Sequence, residues 1–299
     1  MSTATPHLPP IQGEPVKAAF WMIGSILGFT GLAISGRQIG AALDPYEIMF
    51  YRSAVGIVTV LAVATALGTR GEISTRHMGL HILRNIVHFA GQILWLVALM
   101  LIPLAQLFAM EFSYPIIVAL AAPFVLGERL TPRRVLAAGI GFLGILIVAR
   151  PFGGDGLSVG LLAALACAFG FAGSALVTKR LTRVATITCI LFWLAVIQCL
   201  LGFGFAAWDG AVALPPPALW PWVVTIGLAG LIAHFSLTRA LSLAPATIVT
   251  PIDFLRLPLI GIVGMALYGE ALDLWVFLGG AVIFLGNWVN LRPARPRLP

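Results

Sequence analysis

The chain is short of charge. Only 10% of its 299 residues are Asp, Glu, Lys or Arg, where a soluble domain carries about 25%. That is too few to coat a water-facing surface, which excludes a soluble enzyme. Cysteine is also scarce. Cys167, Cys189 and Cys199 lie in apolar runs at no metal spacing, and an odd count argues against a disulfide framework. They read as small core or lipid-facing residues. Acids are the rarer charge, 11 against 18 basic residues. In an apolar chain that excess speaks of membrane topology, not of nucleic acid. There is no GxxxxGK[ST] loop, no sizeable polar domain and no catalytic constellation. What is abundant is apolar side chain, 60% of the total, which excludes disorder and leaves a polytopic membrane protein.

Ten stretches reach spanning length, about 20 residues for a helix. They are 17–36, 46–68, 79–101, 104–126, 133–150, 157–178, 186–207, 219–241, 246–268 and 273–292. Residues 1–16 form a polar, Pro-rich tail. The apolar stretch behind it is not a signal peptide, because nine more follow. Pro103 and Pro245 each sit in a connection of a few residues, predicting tight hairpins between helices 3 and 4 and between 8 and 9. The fold class is therefore all-α integral membrane, with ten transmembrane helices.

Sorting Lys and Arg by side sharpens this. One side takes Lys17, Arg70, Arg76, Arg129, Arg133, Arg134, Lys179, Arg180, Arg183, Arg292, Arg295 and Arg297; the other takes Arg37 and Arg150. Arg52, Arg84, Arg239 and Arg256 lie within or at the edge of helices. The asymmetry puts both termini in the cytoplasm, and an odd number of spans would scramble it.

The chain also repeats itself at an offset of 142 residues. Gly28, Phe29 and Gly31 meet Gly170, Phe171 and Gly173. Ala98-Leu99 and Pro103 meet Ala240-Leu241 and Pro245. Gly127-Glu128 meets Gly269-Glu270, Gly144 meets Gly286, Arg150-Pro151 meets Arg292-Pro293, and Glu111 meets Asp253. Rare residues match in one register without gaps, as an internal repeat requires. The organisation is a cytoplasmic tail (1–16), a first repeat of helices 1–5 (17–151), a second of helices 6–10 (157–293) and a short cytoplasmic tail (294–299). Five helices is an odd number, so the second copy is expected upside down. That is the inverted-repeat plan of secondary transporters, with substrate at the midplane.

The pattern Ala98-Leu99, Pro103, Pro115, Gly127-Glu128, Gly139, Gly144, closing with Arg150-Pro151, resembles the EamA family of the drug/metabolite transporter superfamily. Its second copy is Ala240-Leu241, Pro245, Pro258, Gly269-Glu270 and Gly286. The resemblance covers about residues 17–292. It implies export of amino acids and other metabolites, or import of compounds such as S-adenosylmethionine or riboflavin. Phe50-Tyr51-Arg52 and Leu83-Arg84-Asn85 resemble the branch that includes those importers. Pro258 falls one position off the register of Pro115, which questions the equivalence of the kinks in helices 4 and 9.

Charges at membrane depth cost about 2.5–3.5 kcal/mol each and mark functional sites by default. Here they are Arg52, Arg84, Glu111, Asp253 and Arg256. Depth predicts Arg52 beside Glu111 near the outer face and Arg84 beside Asp253 in the cytoplasmic half, with Asp253 and Arg256 also i,i+3 neighbours. The competing reading is neutralised pairs that only lock the bundle. Unpaired, Glu111 is a proton carrier; paired with Arg52, it serves folding or substrate binding. On helix 3, His81, Arg84, His88, Gln92 and Trp95 form one polar stripe at spacings of three and four, which must face a cavity or another helix. Phe108, Glu111, Tyr114 and Pro115 share a face of helix 4, and His234 is the repeat equivalent of Gln92. The substrate-binding candidates are Glu111, Arg52, Arg84, His88, Gln92, Trp95, Tyr114, His234, Asp253 and Arg256.

Other signals are discounted. Gly139, Gly141 and Gly144 spell GxGxxG inside an apolar span, where helix packing explains them better than a dinucleotide. Gly24, Gly28, Gly36 and Gly40 also read as packing glycines, which serve monomers and homodimers alike. His77 and His81 lack a third metal ligand. Ser174 with His234 lacks an oxyanion loop, so no catalytic residues are expected. The expected function is secondary transport of a small polar or zwitterionic metabolite, an amino acid or a relative such as S-adenosylmethionine. Alternating access would be driven by a proton gradient or exchange, with no cofactor and no metal. The partners are the small-molecule substrate and membrane lipid, with no nucleic acid. The alternatives are an intramembrane enzyme or a structural or sensory scaffold. Compact loops and the family style point to a multi-pass protein of the inner membrane.

Overall fold

A computed structural model describes residues 14–126, 131–150, 157–208, 210–243 and 252–291. Gly127-Glu128, Arg129, Pro151, Asp155, Asp209, Pro245, Arg292-Pro293 and both distal tails lie outside the described residues. Every regular element among the described residues is helical. The long helices are α1 (Pro15–Ile39), α2 (Pro45–Ala66), α3 (Met78–Leu101), α4 (Leu104–Glu111), α5 (Tyr114–Leu126), α6 (Pro132–Ala149), α7 (Val159–Leu181), α8 (Ile187–Ala206), α9 (Trp220–Leu243), α10 (Arg256–Tyr268) and α11 (Leu274–Leu291).

Polar caps start α2, α6, α7 and α8 where apolar runs begin. Asp44 accepts from the Tyr46 and Glu47 amides while Glu47 returns a bond to the Asp44 amide, a full capping box with Pro45 behind it. Thr131, Ser158 and Thr186 cap α6, α7 and α8 more simply, each hydroxyl accepting from the amide three residues on. Among the described residues, eight spans are long and apolar enough to cross a membrane. The ninth and tenth expected stretches fall outside that set, as the shorter apolar helices Arg256–Tyr268 and Leu274–Asn290.

The fourth span is not one helix. It breaks at Phe112-Ser113, between α4 and α5, and a matching turn at Phe254-Leu255 precedes α10. These breaks coincide in the 142-residue register although Pro115 and Pro258 do not. Both prolines fall in the first turn of the helix that follows, where a missing N–H is tolerated. The expected inequivalence of the kinks is therefore corrected: a first-turn proline can shift by one position without moving the break. At the first break Asn287 donates to the Phe112 carbonyl at 2.9 Å, and Ser113 Oγ donates to the Met110 carbonyl at 2.7 Å. Protein groups thus supply what lipid cannot.

Helices pair as α1 with α9, α3 with α7, α2 with α8 and α6 with α11. Glycines set the close approaches. A Cβ on Gly28 would lie 2.8 Å from the Ala233 nitrogen and 2.9 Å from the Ala229 oxygen. A Cβ on Gly170 would lie 2.6 Å from Gly91 Cα and 3.2 Å from the Val87 oxygen. The register carries Gly28 onto Gly170, Val87 onto Ala229 and Gly91 onto Ala233. Likewise Gly144 abuts Gly279 and Ile283, while Gly286 abuts Ala137 and Gly141. Two glycines of the GxGxxG run therefore serve small-residue packing; Gly139 faces open space. Large apolar side chains such as Phe20, Val58, Phe142, Phe169, Leu200 and Ile262 are exposed on the outside, an apolar surface suited to lipid.

Candidate functional site

The polar stripe of α3 faces inward. His81, Arg84, His88, Gln92 and Trp95 are all buried, and α7 packs alongside. Trp95 donates its indole N–H to Glu111 Oε2 at 2.8 Å. His88 Nδ1 lies 3.4 Å from Ser174 Oγ. Its ring is 5.7 Å from Phe171 and 6.2 Å from His234. His234 meets Phe29 edge-on at 5.3 Å. Ser174 thus engages His88, not His234.

At the helix breaks lies a carboxylate cluster. Glu111 ends α4, Asp253 precedes the second break and Arg256 opens α10. Arg256 Nη2 lies 3.4 Å from Glu111 Oε1 and 3.3 Å from Asp253 Oδ2. The guanidinium sits in an aromatic box, 4.4 Å from the Phe29 centroid and 5.0 Å from those of Phe108 and Phe112. Desolvated contacts of this kind are worth about 2 kcal/mol each. Arg256 is only 2% exposed, yet its Nε and Nη1, with Asp253 Oδ1, find no hydrogen-bond partner among the described residues. Tyr114 opens α5, half-buried beside the break.

The ion pairs expected from depth are corrected: Glu111 meets Arg256, not Arg52, and Asp253 meets its i,i+3 neighbour Arg256, not Arg84. Depth along the membrane normal does not say which way a side chain points around its helix, and here Arg256 faces both acids. Arg84 instead donates to Thr178 Oγ1 at 3.3 Å and Asn85 Oδ1 at 3.1 Å. Half-buried Arg52 lines a cleft between α2, α8 and α9 with Ser53, Gln198 and His234.

Sequence reasoning missed several participants. Gln198 donates to Asn85 O at 2.9 Å and Oδ1 at 3.2 Å, joining α8 to the α3 stripe. It is an amide in a very apolar helix, a polar group that needs a partner in lipid, but it belongs to no stripe of the kind that marks Gln92. Phe29 and Phe112 carried no such signal, because a phenylalanine in a membrane helix is ordinary. A second ion pair joins Arg37 to Glu270. Arg37 also donates to Leu99 O at 2.9 Å and Ile102 O at 2.7 Å, while Glu270 accepts from the Leu104 amide at 2.8 Å. This ties the end of α1 to the α3–α4 corner.

A family model described as the EamA-like transporter family matches residues 16–150 and again residues 158–292. The chain is similar to a riboflavin transporter of Brucella anthropi, 32% identical over 268 residues, covering 88% of this chain and 94% of that protein. It is similar to an S-adenosylmethionine uptake transporter of Rickettsia bellii, 23% identical, covering 88% and 89%. It also shares its fold with a crystal structure at 20% identity and a TM-score of 0.64, covering 92% of this chain and 96% of the other.

Proposed function

This chain belongs to the EamA-like transporter family, and on that premise we propose that it is a secondary transporter carrying a small polar metabolite by alternating access. The observation that carries the reading is Arg256 bridging Glu111 of the first repeat and Asp253 of the second. The two acids are repeat equivalents, and each ends a helix segment at a break. Broken helices between repeats are where secondary transporters bind substrate and coupling ion. The reciprocal glycine contacts support repeats 17–151 and 157–293 related by a pseudo-two-fold axis. With ten spans and the basic residues inside, that axis lies in the membrane plane and both termini are cytoplasmic. Lipid of the inner membrane is the surrounding solvent. The rival reading as an intramembrane enzyme falls with the family assignment.

Glu111, Asp253, Arg256, Trp95 and Tyr114 form one pole of the substrate site; His88, Gln92, His234, Arg52 and Arg84 form the other. Two ionised carboxylates sharing one guanidinium leave one negative charge to balance. A proton can supply it, which makes the pair the coupling site, or a cationic group on the substrate can. A riboflavin-like substrate is supported by the Brucella relative and by the rings of Phe29, His88, Phe171 and His234. An amino-acid-like substrate such as S-adenosylmethionine is supported by the Rickettsia relative and by the two acids. Uptake of both labelled compounds into proteoliposomes, with and without an imposed pH gradient, tests the reading. Saturable uptake of either supports it. No uptake of any compound across a wider metabolite panel would sink it.

A further inference from the structure

We infer that the cleft between α2, α8 and α9 is an anion subsite, in which Arg52 and Arg84 take a carboxylate or phosphate of the transported molecule. This rests on the transport reading and names the substrate class it implies. Of the five embedded charges, both acids are consumed on Arg256. That leaves two guanidinium groups with no acid. Arg84 is 7% exposed and bonds only neutral groups, Thr178 and Asn85. Arg52 has one weak contact, to Met49 Sδ at 3.8 Å. Buried cations normally find counter-ions, and among the described residues these two have none.

The cleft is built to receive one. Arg52, Ser53, Gln198 and His234 line it. The guanidinium lies against α9, with Arg52 Nη2 3.4 Å from where a Cβ on Gly230 would stand. Arg84 stands behind, tied to the lining through Asn85 and Gln198. Arg84 Nη1 and Gln198 Nε2 meet on the same Asn85 Oδ1, at 3.1 and 3.2 Å, which sets the second guanidinium beside the lining. His88 Nε2 and Gln198 Oε1 are buried without partners among the described residues, leaving polar capacity for a ligand. His234 then leads through Phe29 to Arg256. A flat ligand can thus set its anionic end on Arg52 and Arg84 and its body against these rings. Forked guanidinium groups suit carboxylate and phosphate because they bond both oxygens at once.

The test is binding to the full chain in phosphatidylcholine nanodiscs, using ligand pairs that differ by one anionic group. The pairs are riboflavin 5′-phosphate with riboflavin, and S-adenosylmethionine with its decarboxylated form. In at least one pair the anionic member should bind about tenfold more tightly, the size of a charge-assisted bond. Arg52→Gln and Arg84→Gln should each erase most of that preference. If the Gln variants do not fold, Arg52→Lys and Arg84→Lys should keep the preference but weaken it, since lysine offers no fork. Equal or tighter binding of the uncharged members, a preference untouched by the variants, or no binding in either pair overturns the proposal. Nanodiscs containing phosphatidylglycerol form a second arm. If that lipid abolishes the soluble anion's advantage, the cations hold a lipid headgroup and the assignment fails. Anion-selective binding without any uptake in proteoliposomes would sink the transport reading alone. Uptake of a neutral substrate, unchanged in the arginine variants, would sink the subsite alone.

Discussion

Arg256 Nη2 lies 3.4 Å from Glu111 Oε1, so a guanidinium of the second repeat holds a carboxylate of the first. Because Asp253 shares that nitrogen, the three side chains respond unequally to substitution.

Arg256→Gln leaves two buried acids without their cation. Breaking a buried pair from one side costs about 3–5 kcal/mol, so this variant should lose much of its thermal stability in detergent. Glu111→Gln leaves Arg256 paired with Asp253 and should fold. It should lose uptake driven by a pH gradient while retaining substrate exchange. Wild-type uptake across all gradients by a folded Glu111→Gln protein would remove Glu111 from the coupling site.

Trp95→Phe keeps the ring and removes the donor to Glu111 Oε2. A lost hydrogen bond to a charged group is worth about 1.5–3 kcal/mol. Half-maximal uptake should need at least tenfold more substrate, or the thermal midpoint should fall. No change in either would show that the 2.8 Å contact is unimportant.

Glycine variants probe the repeat. Gly28→Ala and Gly170→Ala each push a methyl into the backbone of the facing helix, and overpacking costs about 1–3 kcal/mol. Their losses of stability should be similar, because the contacts are equivalent. Gly139→Ala is the control: it meets nothing within 4 Å, and alanine favours a helix by about 1 kcal/mol. Thermal unfolding of the three variants side by side decides the matter.

Arg37 and Glu270 make a separate test. A double-mutant cycle with Arg37→Met and Glu270→Gln should give a coupling energy above about 1 kcal/mol, as for residues of one network. Additive losses would reduce the pair to an incidental contact.

Topology is checked by labelling. Single cysteines at Arg133 and Lys179, in a background lacking Cys167, Cys189 and Cys199, should resist an impermeant thiol reagent in sealed cells. Cysteines at Asp155 and Asp209 should react. Labelling of the Arg133 site from outside would overturn the inverted ten-span arrangement.

The membrane class, the helix-forming stretches and the 142-residue register are legible without coordinates, since each is a property of residues near one another along the chain. Lipid admits only helices or closed barrels, so twenty apolar residues predict a helix whatever surrounds them. The inward face of α3 is legible too, because His81, Arg84, His88, Gln92 and Trp95 recur at the helical period. Partner choice between helices is not, although the i,i+3 pair Asp253 and Arg256 is. Period and depth place a charge by height and by helix face, but which faces meet depends on how helices rotate and cross. That rotation rests on contacts such as Gly28 on Ala233 and Gly170 on Gly91, between residues far apart in the chain. Only the folded bundle could therefore give Glu111 to Arg256 and leave Arg52 and Arg84 without an acid among the described residues. The same packing aligned two helix breaks whose prolines are out of register, because a break belongs to the turn and its capping partners, and Asn287 reaches Phe112 from a helix the local sequence does not contain.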